Sequence, residues 1–308
     1  MPELPEVETV VRELRNKVVG RKIVSVDVRT SKIVSIGPNT LPPKRNGSSS
    51  IAKSFASSLA GHKFTDVRRR AKLLIFDVSG PLSLLVHLKM TGQFIFEDRK
   101  LAKLTGSKYR LLNKTTAPLV ELPSKHTHVV IEFSDRSKLY FNDIRKFGYM
   151  KLVGDADVDK VRELNEFGPE PIDKQFTFKI FEQNVQKRKK SDIKQVLLDA
   201  KVVAGIGNIY SDEILFRAKV RPDRKVLGLG SEELKAIYKA IRPVLLKAIE
   251  TKGSSVGDFV RTDGSWGEMG KHHFVYGRKG QKCKRCGTII EARKFGGRTA
   301  SFCPKCQL

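Results

Sequence analysis

Apolar residues recur every three to four positions at Leu4, Val7, Val10, Val11, Leu14 and Val18, which predicts an amphipathic helix that Gly20 ends. From Lys22 to Thr30 the period falls to two, the pattern of a half-buried strand. A short helix is expected over 51–59, and strands over 72–78, 82–88, 128–133 and 138–141. Residues 37–50, rich in Pro, Asn, Gly and Ser, read as a surface loop, and the polar stretch 98–124 reads as a second insertion. A helix ahead of many closely spaced strands predicts a β-sandwich with that helix packed alongside.

Beyond about residue 155 the spacing turns helical, over 157–166, 176–187, 193–199, 208–218 and 231–251. The last segment has a Ser231 cap, an acidic first turn at Glu232-Glu233, an apolar stripe from Leu234 to Ile249, and Pro243, which should bend it. Residues 253–273 are glycine-rich and polar and are expected to form a mobile loop. The fold class is therefore α+β in two domains with a small appendage: an N-terminal β-sandwich with flanking helices over 1–154, a helical domain over 155–272, and a terminal ribbon over 273–308.

The ribbon follows from the cysteines. All four, Cys283, Cys286, Cys303 and Cys306, fall in the last 26 residues with spacing C-x2-C-x16-C-x2-C, the pattern of a tetrahedral zinc site built from two knuckles. Two disulfides are the alternative, disfavoured in a chain with no other cysteine and no secretory signal pattern. Thr288–Ile290 and Thr299–Phe302 read as the strands of a hairpin whose basic tip is Arg293–Arg298. A hairpin this small draws its stability from the metal, so one structural Zn2+ is expected.

Charge narrows the partner. Lys and Arg number 59 against 33 Asp and Glu, a net +26, which calls for an anionic polymer. No apolar run reaches the ~20 residues of a membrane span, and nothing has the form of an interfacial anchor. Nucleic acid is favoured, with no membrane partner.

Several segments could carry the chemistry. Gly205-Ile206-Gly207 makes a tight turn and Asn208 opens a helix whose N–H groups could receive a phosphate, although a plain helix connector has the same pattern. Lys187–Lys190 and Lys194 lie upstream, either beside that phosphate or as a solvated charge run. Lys72 stands at the mouth of a strand. Met90 and Phe147, each near a glycine turn, read alone as core residues; beside Arg145 they also suit wedges that unstack DNA while the arginine bonds an orphaned base. At the start, Pro2 follows the initiator methionine, whose removal leaves a secondary amine. Such an amine attacks an electrophilic carbon and becomes an iminium, an electron sink, with Glu3 and Glu6 close in sequence as acid/base partners. The plainer reading is a proline-bounded helix start.

Pro2–Glu8, Arg69–Lys72, His87–Gly92, Lys125–His128, Asn142–Gly148, Val202–Tyr210, Val275–Arg278 and the cysteine ribbon together resemble, in order and over essentially the whole length, the bacterial-type formamidopyrimidine-DNA glycosylase family shared with endonuclease VIII. The Glu-Leu-Pro-Glu start and the Met/Arg/Phe set resemble its purine-lesion branch. The resemblance implies that Pro2 is the nucleophile at the deoxyribose C1′, that Glu3 assists ring opening and later proton transfers, and that Glu6 supports the lesion site. It places Lys72, His87, His126, Lys146, Lys194, Asn208 and Arg298 on phosphates, with Lys72 and Arg298 counted among the catalytic group. Met90, Arg145 and Phe147 would fill the gap left by the flipped base. It further implies a helix–two-turn–helix motif, base excision followed by β- and δ-elimination, a monomer acting in the cytoplasm, and double-stranded DNA containing damaged bases as partner. Three departures stand out. Lys89 occupies a position where the family commonly has glycine, Lys146 one where it often has arginine, and the lid expected between Gly264 and Val275 reads as short. The short lid leaves an oxidised-pyrimidine preference open. A zinc-ribbon protein that binds damaged DNA without catalysis is the remaining alternative, and it needs neither Pro2 nor Glu3.

Overall fold

The computed structural model describes residues 1–40, 47–109, 111, 119–257 and 259–308. Residues 41–46 and 112–118, within the two expected insertions, lie outside the described residues. Packing divides the chain into two units: residues 1–2, 6–165 and 252–267 form the first, and residues 3–5, 166–251 and 268–308 the second. The boundary differs from the expected domains, because 252–267 folds with the strands and 3–5 with the helices.

Helix α1 (Leu4–Val18) has the bounds its period predicts, and its apolar stripe is buried. The first unit continues with β1 (Ile23–Val28), β2 (Val34–Ile36), α2 (Ser49–Leu59), β3 (Phe64–Arg70), β4 (Leu73–Val78), β5 (Leu82–His87), β6 (Gly92–Glu97), α3 (Arg99–Thr105), β7 (Lys108–Tyr109), β8 (Val120–Glu121), β9 (Thr127–Phe133), β10 (Lys138–Asp143) and β11 (Tyr149–Gly154). One sheet has the order β1-β9-β10-β6 and the other β2-β11-β5-β4-β3. Side chains from both interdigitate in one core, for example Phe76 against Phe94 at 5.6 Å and Phe64 against Phe133 at 6.2 Å. The expected helix over 157–166 is instead a 3-10 segment, Asp155–Lys160, and one helical turn, α4 (Arg162–Asn165). Neither buries a side chain, so no apolar stripe supports a longer helix there.

The second unit contains α5 (Phe178–Gln186), α6 (Ile193–Leu198), α7 (Asn208–Ala218), α8 (Ser231–Glu250), β12 (Glu291–Phe295) and β13 (Arg298–Phe302). Helix α8 runs through Pro243 and is capped by Gly230, not Ser231: the Gly230 N–H donates to Glu233 at 2.9 Å. The first hairpin strand lies three residues later than expected, since β12 begins at Glu291, and the turn shrinks to Gly296-Gly297, both at positive φ as a two-residue turn requires. Thr288–Ile290 serves the first knuckle instead, where the Thr288 carbonyl accepts from the Cys283 N–H.

The stretch 253–273, expected to be a mobile loop, is tied down. Arg261 and Thr262 bond Glu13 of α1, and Phe259 enters the sandwich core. Met269 enters the helical core, and the buried Glu213 carboxylate accepts from the N–H groups of Phe274, Val275 and Tyr276. No described helix is long and apolar enough to cross a membrane.

Candidate active site

Glu3 is 2 % exposed although it is the third residue of a highly charged chain. One of its carboxylate oxygens accepts from the Ile209 N–H at 2.9 Å and the other from the Tyr210 N–H at 3.3 Å. The N-terminus of α7, expected to receive a phosphate, thus already holds an internal carboxylate. The glycines before it are required by this contact. A Cβ on Gly207 would stand 2.3 Å from the Glu3 Cδ, and one on Gly205, at φ +82°, 2.7 Å from the Leu4 side chain. The Leu4 N–H also donates to the Gly205 carbonyl at 3.0 Å, so the residues next to Pro2 are bolted to the turn. Asn208 is half-buried, and its Oδ1 is a buried acceptor without a protein partner.

Two more expected residues stand near Glu3 within the second unit. Lys194 feels the charges of both Glu3 and Arg298. It is not a surface cation, however: its side chain is 1 % exposed, and its ammonium lies 2.5 Å from Asp212 and 2.8 Å from the Thr299 carbonyl. Burial lowers the Lys194 pKa and pushes the Asp212 carboxyl up to about 7, so the low-polarity setting acts against charge on both partners. Arg298 opens β13 and is exposed.

The first unit collects a second group at one end of the sandwich. Leu73, His87 and Tyr149 are register partners across β4, β5 and β11, which sets the half-buried Lys72 beside His87. The His87 Nδ1 accepts from the Lys89 N–H at 2.9 Å, leaving its hydrogen on Nε2. Desolvation, then the charges of Lys89 and Lys72, hold its pKa down to about 3. His87 therefore offers a neutral N–H donor, not a cation. His126 is likewise held below its ordinary value, by desolvation and then by Lys125 and Lys146. The neighbouring His128 is structural, buried between the Thr30 hydroxyl and the Asp143 carbonyl.

Asp143, which the sequence reading passed over, organises this end. Its buried carboxylate accepts from the Thr91 hydroxyl, from the Arg145 N–H at 3.1 Å and from the Gly148 N–H at 2.6 Å. The Asp143 N–H in turn donates to the His126 carbonyl at 2.9 Å. One residue thus ties together the turns that carry Met90, His126 and Arg145–Phe147. Gly148 is needed, because a Cβ there would meet Phe141, Asp143 and the His87 carbonyl at about 3 Å. Phe147, core when taken alone, is 47 % exposed, with the Arg145 guanidinium 4.8 Å from its ring centroid. Met90 is half-buried, and Lys146 is exposed at φ +57°. Of the Arg68–Arg70 run, Arg68 pairs with Asp77 and Arg69 with Glu8, so these two hold the sandwich together. Glu6 is buried in this unit and accepts from the Ser254 N–H at 2.7 Å, with Gly253 packed on its side chain.

The four cysteine sulfurs all lie within 4.8 Å of one another and form no disulfide. A tetrahedral ion with Zn–S bonds of about 2.3 Å spaces its sulfurs about 3.8 Å apart, so the cluster fits one structural zinc and leaves no open position. Asp212 and Glu213 were also missed, yet a signal was available: two acids sit side by side between the apolar pairs Ile209-Tyr210 and Ile214-Leu215 of α7, which is buried from Ile209 to Phe216.

Known proteins share this architecture. Three family descriptions match in chain order: the formamidopyrimidine-DNA glycosylase N-terminal domain over residues 1–150, the formamidopyrimidine-DNA glycosylase H2TH domain over 167–260, and the zinc finger found in FPG and IleRS over 280–308. They define a DNA glycosylase of DNA repair. The formamidopyrimidine-DNA glycosylase of Listeria monocytogenes is 38% identical over 307 residues and covers 100% of both chains, and that of an Exiguobacterium species is also 38% identical, over 100% of this chain and 99% of its own. The chain belongs to the formamidopyrimidine-DNA glycosylase family. Among solved structures, Lactococcus lactis Fpg bound to an abasic site containing DNA is 34% identical with a TM-score of 0.80 over 100% of both chains. The same Lactococcus enzyme bound to an oxidized pyrimidine containing DNA is 34% identical with a TM-score of 0.79 over 99% of each chain.

Proposed function

We propose that this chain is a bifunctional glycosylase and lyase that removes oxidised purines from duplex DNA. The Pro2 amine attacks the deoxyribose C1′, the glycosidic bond breaks, and the damaged base leaves with a proton. The C1′–O4′ bond then opens, with O4′ taking a proton, to give the iminium, which acidifies C2′; β-elimination expels the 3′-phosphate and δ-elimination the 5′-phosphate, and water hydrolyses the remaining sugar from Pro2, leaving a one-nucleotide gap. Glu3 assists ring opening and passes protons, Glu6 supports the lesion site, and Met90, Arg145 and Phe147 occupy the stack. Lys72, His126, Lys146, Asn208 and Arg298 hold phosphates, and His87 does so as a neutral donor. The zinc, when bound, fixes the ribbon and takes no part in bond breaking.

The observation that carries this reading is Glu3: a buried carboxylate with both oxygens held by backbone N–H groups, covalently next to Pro2. A protein that merely bound DNA would have no use for a pre-oriented acid at that place. Borohydride trapping with duplexes carrying 8-oxoguanine or formamidopyrimidine tests it. A reduced adduct should map to Pro2, and Pro2→Gly or Glu3→Gln should abolish cleavage while DNA binding persists. An adduct on another residue, or an active enzyme still carrying Met1, would refute the mechanism. The oxidised-pyrimidine complex of the Lactococcus relative favours a second reading, in which oxidised pyrimidines are also accepted. A pyrimidine-lesion duplex in the same trapping experiment decides that point.

A further inference from the structure

From Cys303, at the metal, back to Arg298 the chain runs five residues along a two-stranded ribbon, about 17 Å at strand rise. Isolated two-stranded hairpins are marginal in water, so the metal at one end does not by itself fix the far end. Contacts from two helices do. The Lys194 ammonium, on α6, donates to the Thr299 carbonyl at 2.8 Å, and the Asp212 carboxylate, on α7, accepts from the Ser301 N–H at 2.9 Å. These are the first and third residues after Arg298. The two side chains also pair with each other at 2.5 Å and are almost wholly buried. At the turn, a Cβ on Gly296 would run into the Gln195 side-chain amide, so the tip rests directly on α6.

We propose that Lys194 and Asp212, with Gln195 beneath the turn, are positioning residues that set where the Arg298 guanidinium stands. This rests on the reading of Arg298 as a phosphate contact at the reaction centre. It gives Lys194 a different task from the phosphate contact that the family resemblance implies: its ammonium is enclosed and already serves Asp212 and Thr299. It also makes α7 a ruler. The first turn of α7 holds Glu3, and Asp212, four residues after Asn208 and so on the same face, holds the hairpin. One rigid helix thereby fixes the acid and the phosphate clamp relative to each other.

The test compares Asp212→Asn with Arg298→Ala and their combination, in zinc-loaded protein with metal content measured. Hydrogen exchange at residues 293–301 should quicken in Asp212→Asn while the knuckle amides stay protected. Single-turnover cleavage should slow by about tenfold or more in each single variant, and the combination should be no slower than Arg298→Ala, since both changes disable one group. Unchanged exchange in the hairpin, or losses that multiply in the combination, would overturn the proposal. If exchange quickens but Arg298→Ala cleaves normally, positioning stands and the reading of Arg298 falls. Should Asp212→Asn fold poorly, the apolar pair Lys194→Met with Asp212→Leu removes both hairpin bonds without leaving a lone buried charge, and must give the same exchange result.

Discussion

Lys89 occupies the left-handed region at φ +51°, and Lys146 does so at φ +57°. For a residue with a Cβ this conformation costs about 1 kcal/mol or more, and such strain gathers at functional sites. The glycine expected at position 89 would relieve it. Lys89→Gly should therefore raise the melting temperature of the first unit by about 2–4 °C, measured by calorimetry. Against this, the lysine ammonium lies 5.5 Å from the Tyr149 ring centroid, and a melting point that fell would show that this contact outweighs the strain. His87 gives a pH prediction. Its pKa is about 3 folded against 6.5 for the free side chain, so between those values the unfolded chain binds a proton that the folded chain does not. Stability should fall as pH drops from about 6.5 toward 3, and His87→Gln should flatten that slope in urea titrations. A parallel pH dependence in the variant would mean that His87 titrates normally. Because the imidazole is already neutral at pH 7, no activity inflection near neutrality should trace to it.

At the level of elements, the junction between the turn at Gly205–Gly207 and α7 carries the most weight. Gly207→Ala places a methyl against the Glu3 carboxylate and must displace it by an ångström or more. A shift of that size in a catalytic group costs about 100-fold in rate. Cleavage should drop by that factor with little change in circular dichroism, whereas Gly228→Ala, where a Cβ meets nothing within 4 Å, should cleave normally. Equal rates in the two variants would remove Glu3 from the mechanism. This junction was half legible in the sequence. The Gly-x-Gly before a helix was visible, but its occupant was read as phosphate because nothing local shows that residue 3 returns to residue 209. Helices α1 and α7 were read to their bounds, and α8 to within one residue of its end. Strands β6 and β11 were not found: all six residues of β6 and five of the six in β11 are buried, so neither alternates. In β11 even Lys151 is enclosed, paired with Glu163. Strand β3 was hidden by its arginines, two of which face partners on β4 and α1.

Across the whole molecule, a net charge of +26 promises strong attraction to DNA, but the structure limits which of the named residues supply it. His87 and His126 are held toward neutrality and Lys194 is enclosed, which leaves Lys72, Lys146 and Arg298 as the charged members of the expected phosphate set. Each such contact contributes about 0.9 to the slope of log affinity against log salt. Lys146→Ala should thus lower the slope by about 0.9, and Lys194→Met added to Arg298→Ala should lower it no further than Arg298→Ala alone. A further fall in that double variant would put the Lys194 ammonium on DNA after all. The cysteine spacing made the ribbon legible at this scale. The assignment of 252–267 to the strand-bearing unit was not, because it depends on Glu13 reaching Arg261 and Thr262 across almost the entire chain.

The Asp143 knot has a kinetic corollary. Since the turn bearing Phe147 is braced before any duplex arrives, its freedom is surrendered once, when the chain folds, and not again at every base step tested. On the proposed role of Phe147 in the stack, an enzyme that must pass intact pairs to reach a damaged one gains from a probe that is ready on contact. Loosening the brace should lengthen the search itself, even where the chemistry at the lesion keeps its pace.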